Sequence, residues 1–125
     1  MKNPWKFLIT NRVKKNSMDG KLKGNGSTRP ALDVDIDAIW LEKQYHNQNG
    51  RCFYFPTILL DPQSVFASRN PMTMSVERLD DSKGYTKDNV VLTCRFANLG
   101  LANTPIEKKK EFISEFTKKV ECEFK

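Results

Sequence analysis

The sequence predicts an α+β fold in which a strand–loop–strand–helix unit is flanked by helices at both ends of the chain. Three observations carry that prediction. Met72, Met74, Val76 and Leu79 recur in a short alternating run that reads as a strand. Val90, Val91 and Leu92 form a second run, β-branched and apolar, that reads as a buried strand. From Cys94 the spacing turns helical, with Phe96, Leu99 and Gly100 expected to face inward and Arg95 and Asn98 to lie on another side.

The other elements follow in order, within one domain spanning residues 1–125. Residues 1–15 read as a basic amphipathic helix. Pro4 suits its first turn, Trp5, Leu8, Ile9 and Val13 face the core, and Lys2, Lys6, Arg12, Lys14 and Lys15 stay outside. Residues 16–30, rich in glycine and poor in apolar groups, read as a flexible loop. The core spans 35–103. It opens with a helix over 35–47, capped by Asp35 or Asp37, with Ile36, Ile39 and Trp40 inward. Asn49-Gly50 is a turn signal. Phe53 to Phe55 and Ile58 to Leu60 look like two short apolar strands, and 61–71 is a loop bounded by prolines. Between the central strands, Asp80 to Gly84 make a turn in which Gly84 supplies positive φ at no steric cost. A final helix covers 104–120, with Thr104 as cap, Pro105 in its first turn and a stripe of Ile106, Phe112, Ile113, Phe116 and Val120.

Composition narrows the partners. Against 15 acidic residues stand 21 Lys and Arg, a net charge of +6. A surface of that sign attracts phosphate polyanions in a salt-dependent way. No apolar run is long enough to span a bilayer, and the N-terminus does not read as a signal peptide. Cys52, Cys94 and Cys122 follow no disulfide spacing, which points to a reducing, cytoplasmic setting. His46, the one histidine, is expected at a helix end as a surface or capping residue.

Four ordered segments, Ser75-Val-Glu77-Arg78-Leu-Asp80, Ser82-Lys83-Gly84-Tyr85-Thr86, Asn89-Val90 and Asn98-Leu99-Gly100-Leu101, resemble the ββα-metal core of the HNH, or His-Me finger, endonucleases. The likeness is to phage and bacterial members of the endonuclease VII group, and it runs from about residue 4 to residue 117. Asn11-Arg12-Val13-Lys14-Lys15 and Gln48-Asn-Gly50-Arg-Cys52 also resemble segments of that family.

The resemblance implies a metal-dependent DNA endonuclease, phage-encoded and acting in the host cytoplasm. Its alternatives are a catalytically impaired nucleic-acid-binding relative and a protein that inhibits a host enzyme on the same scaffold. Carried over, Glu77 and Asn98 are the ligands of one divalent ion, Mg²⁺ or Mn²⁺, which their hard oxygen donors suit. Asn89 matches the loop asparagine. Arg78 stands where the family places its general-base histidine, and a guanidinium cannot accept a proton; it can grip a phosphate. Glu77 stands where most relatives have Asp. Asp80 and Asp81 are the nearest carboxylates that can serve as base, and a metal-bound hydroxide is the alternative. In many relatives the position of Cys52 opens a zinc knuckle. Phe55 breaks the Cys-x-x-Cys pattern here, so no structural zinc is expected and Cys52 is expected to be buried. DNA is the expected partner, with RNA left open. Arg12, Lys14, Lys15, Lys83, Lys87 and Arg95 are the expected phosphate contacts. One such core cuts one strand, so double-strand cleavage would call for a homodimer.

Overall fold

Asn3 starts the first helix by accepting hydrogen bonds from the Trp5 and Lys6 amides at 2.9 and 3.0 Å. Pro4 follows at the first helical position. In the computed structural model, which describes residues 2–17, 31–101 and 104–123, this helix is α1 (Pro4–Leu8). It passes through a π-helical turn (Ile9–Val13) into α2 (Lys14–Ser17). Trp5, Leu8, Ile9 and Val13 are all buried, as their spacing predicts. The expected flexible loop over 16–30 lies almost wholly outside the described residues.

Helix α3 (Ala38–Asn47) is capped by Asp37, whose carboxylate accepts from the Trp40 amide at 2.8 Å. The other candidate cap, Asp35, accepts instead from the Lys87 amide. Leu41 rather than Ile39 fills the core from this helix; Ile39 is 78% exposed. Its C-terminal turn runs through Asn49 (φ 56°) and Gly50 (φ 69°), and His46 is exposed there. A Cβ on Gly50 would sit 3.0 Å from the Tyr45 hydroxyl oxygen, so both space and backbone favour glycine.

The expected pair of strands over 53–60 does not form. One isolated antiparallel bridge joins Arg51 to Leu59, and alternate residues Cys52, Tyr54 and Leu60 still turn inward. Pro56, which brings no amide donor, interrupts the run. A 3₁₀ helix (Pro62–Phe66) stands inside the predicted 61–71 loop.

Strands β1 (Met74–Arg78) and β2 (Val90–Cys94) make a two-stranded antiparallel sheet, pairing Met74 with Cys94 and Arg78 with Val90 at its ends. Two strands alone are marginal in water, and this pair is buried on the hydrophobic cluster. The Gln48 side chain caps the free edge of β2: its amide nitrogen donates to the Leu92 carbonyl at 2.9 Å and its oxygen accepts from the Leu92 amide at 3.0 Å. At Leu92 the edge therefore offers no free amide or carbonyl to a stray strand.

Gly84 does not adopt positive φ. It is glycine because a Cβ there would lie 2.3 Å from the Asp33 carbonyl oxygen. Beside it a parallel bridge joins Val34 to Tyr85, tying the 31–37 segment to the hairpin loop.

Helix α4 (Arg95–Leu101) continues directly from β2, and α5 (Ile106–Glu123) follows. Their inward faces differ from expectation. On α4, Ala97 and Leu101 are buried while Phe96, Leu99 and Gly100 are exposed. The strand end fixes the register, since the Arg95 and Phe96 amides bond to the Thr73 and Pro71 carbonyls. On α5, Ile113 packs on the core and Phe112 is exposed. The side chains of Ile106, Phe116 and Val120 lie outside the described residues. No helix among the described residues is long and apolar enough to cross a membrane.

Candidate functional site

Side chains alternate along a strand, so Ser75 and Glu77 project from the same face of β1. Each meets a different helix.

At Ser75 the partner is α4. Asn98 Nδ2 donates to Ser75 Oγ at 2.7 Å and to the Val76 carbonyl at 3.0 Å. Both residues open into a groove of about 400 Å³, lined by Arg12, Lys15, Arg69 and Arg95 together with Asn11, Asn16 and Thr73. Among the described residues no carboxylate lines it. Like charges crowd there: partial burial and then the charge of Arg69 hold the Arg12 guanidinium below its ordinary pKa. The Arg12 guanidinium also lies 5.7 Å from the Phe7 ring centroid, which sets its direction.

At Glu77 the partner is α5. Glu77 is 4% exposed, and Lys109, 0% exposed, brings its ammonium to 3.7 Å from Glu77 Oε1. The same ammonium donates to the Leu79 carbonyl at 3.2 Å and lies 5.9 Å from the centroid of the Tyr54 ring. Burial pushes the Glu77 carboxyl above its ordinary pKa, and the Tyr54 hydroxyl and Lys109 oppose that shift. Burial, and then Glu77 itself, pushes the Tyr54 phenol up. Tyr54 faces Glu77 closely enough to feel its charge, yet among the described residues neither Tyr54 Oη nor Glu77 Oε2 has a hydrogen-bond partner.

The remaining sequence-predicted residues brace the loop between the strands. Arg78 Nη1 donates to the Asp81 and Lys83 carbonyls, each at 2.8 Å, and its guanidinium lies 5.3 Å from the centre of the Tyr85 ring. Asn89 is buried; it accepts from the Asp80 amide and donates to the Asp80 and Gly84 carbonyls. Asp80 is exposed and holds Ser82 through both its hydroxyl and its amide, which keeps its carboxyl below the ordinary value. That makes it a weaker base. Asp80 and Asp81 line a hollow of about 350 Å³ with Glu107.

Of the expected phosphate contacts, Arg12, Lys15 and Arg95 therefore share the groove. Lys14 is exposed but does not line it. Lys83 and Lys87 line a separate hollow with Asp33, Asp35 and Asp88. The expected metal ligands have different partners, Asn98 facing Ser75 and Glu77 facing Lys109. Among the described residues no group of three or more His, Cys, Asp or Glu side chains is placed to hold a metal ion. As they stand, these donors do not fit a divalent cation, because an ammonium already neutralises the carboxylate. Cys52 and Cys94 are both buried, their sulfurs 4.0 Å apart.

Sequence reasoning missed Arg69, Ser75, Tyr54 and above all Lys109. A signal for Lys109 was present. It follows Ile106 by three positions and precedes Ile113 by four, which places it on the apolar face of α5. Scans of the chain against protein-family models, curated proteins and solved structures found no match.

Proposed function

We propose that this chain binds the phosphate backbone of a nucleic acid in the groove between the N-terminal helical segment and α4. One observation carries the proposal: four cationic side chains, Arg12, Lys15, Arg69 and Arg95, converge on one groove that holds no carboxylate among the described residues. None of them takes part in an ion pair among the described residues, whose pairs are Lys108–Glu111, Lys109–Glu77 and Lys118–Glu115. Cations gathered without counter-charges gain most from a polyanion that supplies them. Asn11, whose side-chain nitrogen donates one hydrogen bond to the Phe7 carbonyl, adds an amide at the groove wall, a common kind of phosphate or sugar contact.

Of the two readings the HNH resemblance leaves for such a protein, the geometry favours nucleic-acid binding without cleavage. Glu77 is enclosed with Lys109, and Arg78 Nη1 is engaged with loop carbonyls. The endonuclease reading is supported by a separate observation: strand, strand and helix follow one another in the order of a ββα-metal core, with Asn89 bracing the connecting loop. In that reading the enclosed carboxylate becomes usable only once Lys109 is withdrawn.

Fluorescence anisotropy with labelled DNA across a salt series tests binding. The logarithm of affinity should fall linearly with the logarithm of salt concentration. In Lys15→Gln/Arg95→Gln that slope should be shallower by roughly two, about 0.9 for each phosphate no longer neutralised. Absence of binding at low salt, or a slope unchanged in the variant, overturns the proposal. Incubation of supercoiled plasmid with Mg²⁺ or Mn²⁺, with Glu77→Ala alongside, separates the two readings. Nicking by the native protein that is absent from the variant favours the endonuclease.

A further inference from the structure

Beside the groove lies an apolar ledge that the core does not use. Phe96 and Leu99 of α4 are 48% and 58% exposed. With Pro71, Arg95 and Gly100 they line a hollow of about 310 Å³, at the small end of the range for ligand pockets, roughly 300 to 1,000 Å³. Arg95 and Leu99 also line the cationic groove, so the two depressions share a wall. The hollow is open at Gly100, where a Cβ would meet nothing within 4 Å. The Phe96 backbone amide bonds to the Pro71 carbonyl at 3.0 Å, and its ring centroid lies 6.3 Å from that of Phe55.

We propose that the Phe96–Leu99 ledge receives unstacked bases of a single-stranded nucleic acid whose phosphates run through the adjoining groove. This rests on the groove being a phosphate-binding surface and adds the class of strand it takes. A flat aromatic face beside a row of cations matches a ligand with anionic links and aromatic side groups. Bases inside a duplex have both faces covered by their neighbours, so only a strand with free base faces can use the ring. A second copy of this chain is a poorer occupant: self-association through the ledge would bring one Arg95 and its neighbouring cations towards their counterparts.

The test is anisotropy at fixed low salt with four labelled probes: single-stranded DNA, single-stranded RNA, duplex DNA, and an abasic strand with the same number of phosphates. The base-bearing single strands should bind more tightly than the duplex and the abasic strand. Phe96→Ala should weaken single-strand binding roughly 5- to 150-fold, the range of one base–aromatic stack. It should leave duplex and abasic binding, and the slope against salt, unchanged. Gly100→Gln, which puts a neutral side chain into open space at an exposed helical position, should produce the same selective loss. The DNA and RNA arms identify the strand chemistry, and a selective loss in either supports the ledge.

Equal binding of base-bearing and abasic strands overturns the proposal while leaving the groove standing. So does an equal effect of Phe96→Ala on single strand and duplex, which would make the ring a wedge or a structural support. A native dimer that Phe96→Ala dissociates, with nucleic-acid binding untouched, overturns it in favour of self-association. Failure to bind any probe removes the groove and the ledge together.

Discussion

Ser75 and Glu77 stand two residues apart on one face of one strand, yet their surroundings are opposites. Ser75 opens with Asn98 into a groove of cations that have no acidic partners among the described residues. Glu77 is sealed under α5 against a cation of its own. The strand itself does not set the difference. Helix α4 is short and turns Phe96 and Leu99 outward, so its end of the sheet stays open. Helix α5 lays Lys109 over the other end and closes it. Charge that is matched inside the fold stabilises or costs within the fold; charge that is left unmatched is available to a ligand.

The closed end should be the more fragile when one partner is removed. Lys109→Met leaves Glu77 buried without its counter-charge, a loss of roughly 3 to 5 kcal/mol. Urea denaturation of the variant should show it as a large drop in midpoint. Glu77→Gln/Lys109→Met should recover much of that loss, because no buried charge is then left without its counter-charge. Should the double variant be no better than Lys109→Met alone, the pair is not coupled and the contrast with the groove disappears.

The same pair should write a pH dependence. Burial raises the folded pKa of Glu77 above its ordinary 4.5. As pH climbs from there toward the raised value, the unfolded chain gives up its proton while the folded chain keeps it. Stability therefore falls with rising pH in that window and levels off above it. Asp80 and Asp88 act in a different window. Their carboxyls lie below the ordinary 3.8, each held first by a neighbouring hydroxyl, from Ser82 and Thr86. What they contribute is lost only as pH drops below that value. Thermal melts across roughly pH 4 to 7 should show the decline in the native protein and a flat profile in Glu77→Gln/Lys109→Met.

How much of this was legible in the sequence depends on the distance over which each feature is decided. The hairpin, the helix after it and the buried face of the N-terminal segment come from local periodicity, and they stand where Val90 to Leu92 and Trp5 to Val13 place them. The orientation of α4 was not local. Bonds from its first amides to Thr73 and Pro71 rotate it so that Ala97 and Leu101 turn inward. The 53–60 segment kept a strand-like alternation of burial without strand pairing, because only Arg51 and Leu59 find each other. Lys109 is one of three consecutive lysines, and such a run reads as a solvated face. What buries it is a carboxylate 32 positions earlier, a pairing that no pattern within α5 contains.

Asn89 offers a smaller test of the closed end. Its amide answers the Asp80 amide and carbonyl and the Gly84 carbonyl, so it holds the loop that carries Arg78's partners. Asn89→Ala should cost roughly 1 to 3 kcal/mol by leaving these groups unpaired. Amide exchange should quicken at Asp80 and Leu79, the latter bonded to the Asn89 carbonyl at 2.8 Å, before it quickens in α1. A loss spread evenly over the chain would mean that Asn89 supports the whole core rather than the loop.

The open end should answer in the opposite sense, and with the smallest change in stability. Arg69 holds the pKa of Arg12 down, burial being the only larger cause, so the two repel in the free protein. Arg69→Gln removes that repulsion. Its melting midpoint should stay the same or rise slightly, within about 0.5 kcal/mol, while its affinity for DNA falls and its salt slope becomes shallower by about one. Stability and binding moving in opposite directions is what separates a groove kept cationic for a ligand from a face that is charged only for solubility. A surface lysine such as Lys14, which does not line the groove, supplies the control: Lys14→Gln should alter neither the midpoint nor the slope appreciably. If Arg69→Gln and Lys14→Gln behave alike, the cations of the groove carry no function that their position suggests, and the two ends of β1 differ only in how deeply they are buried.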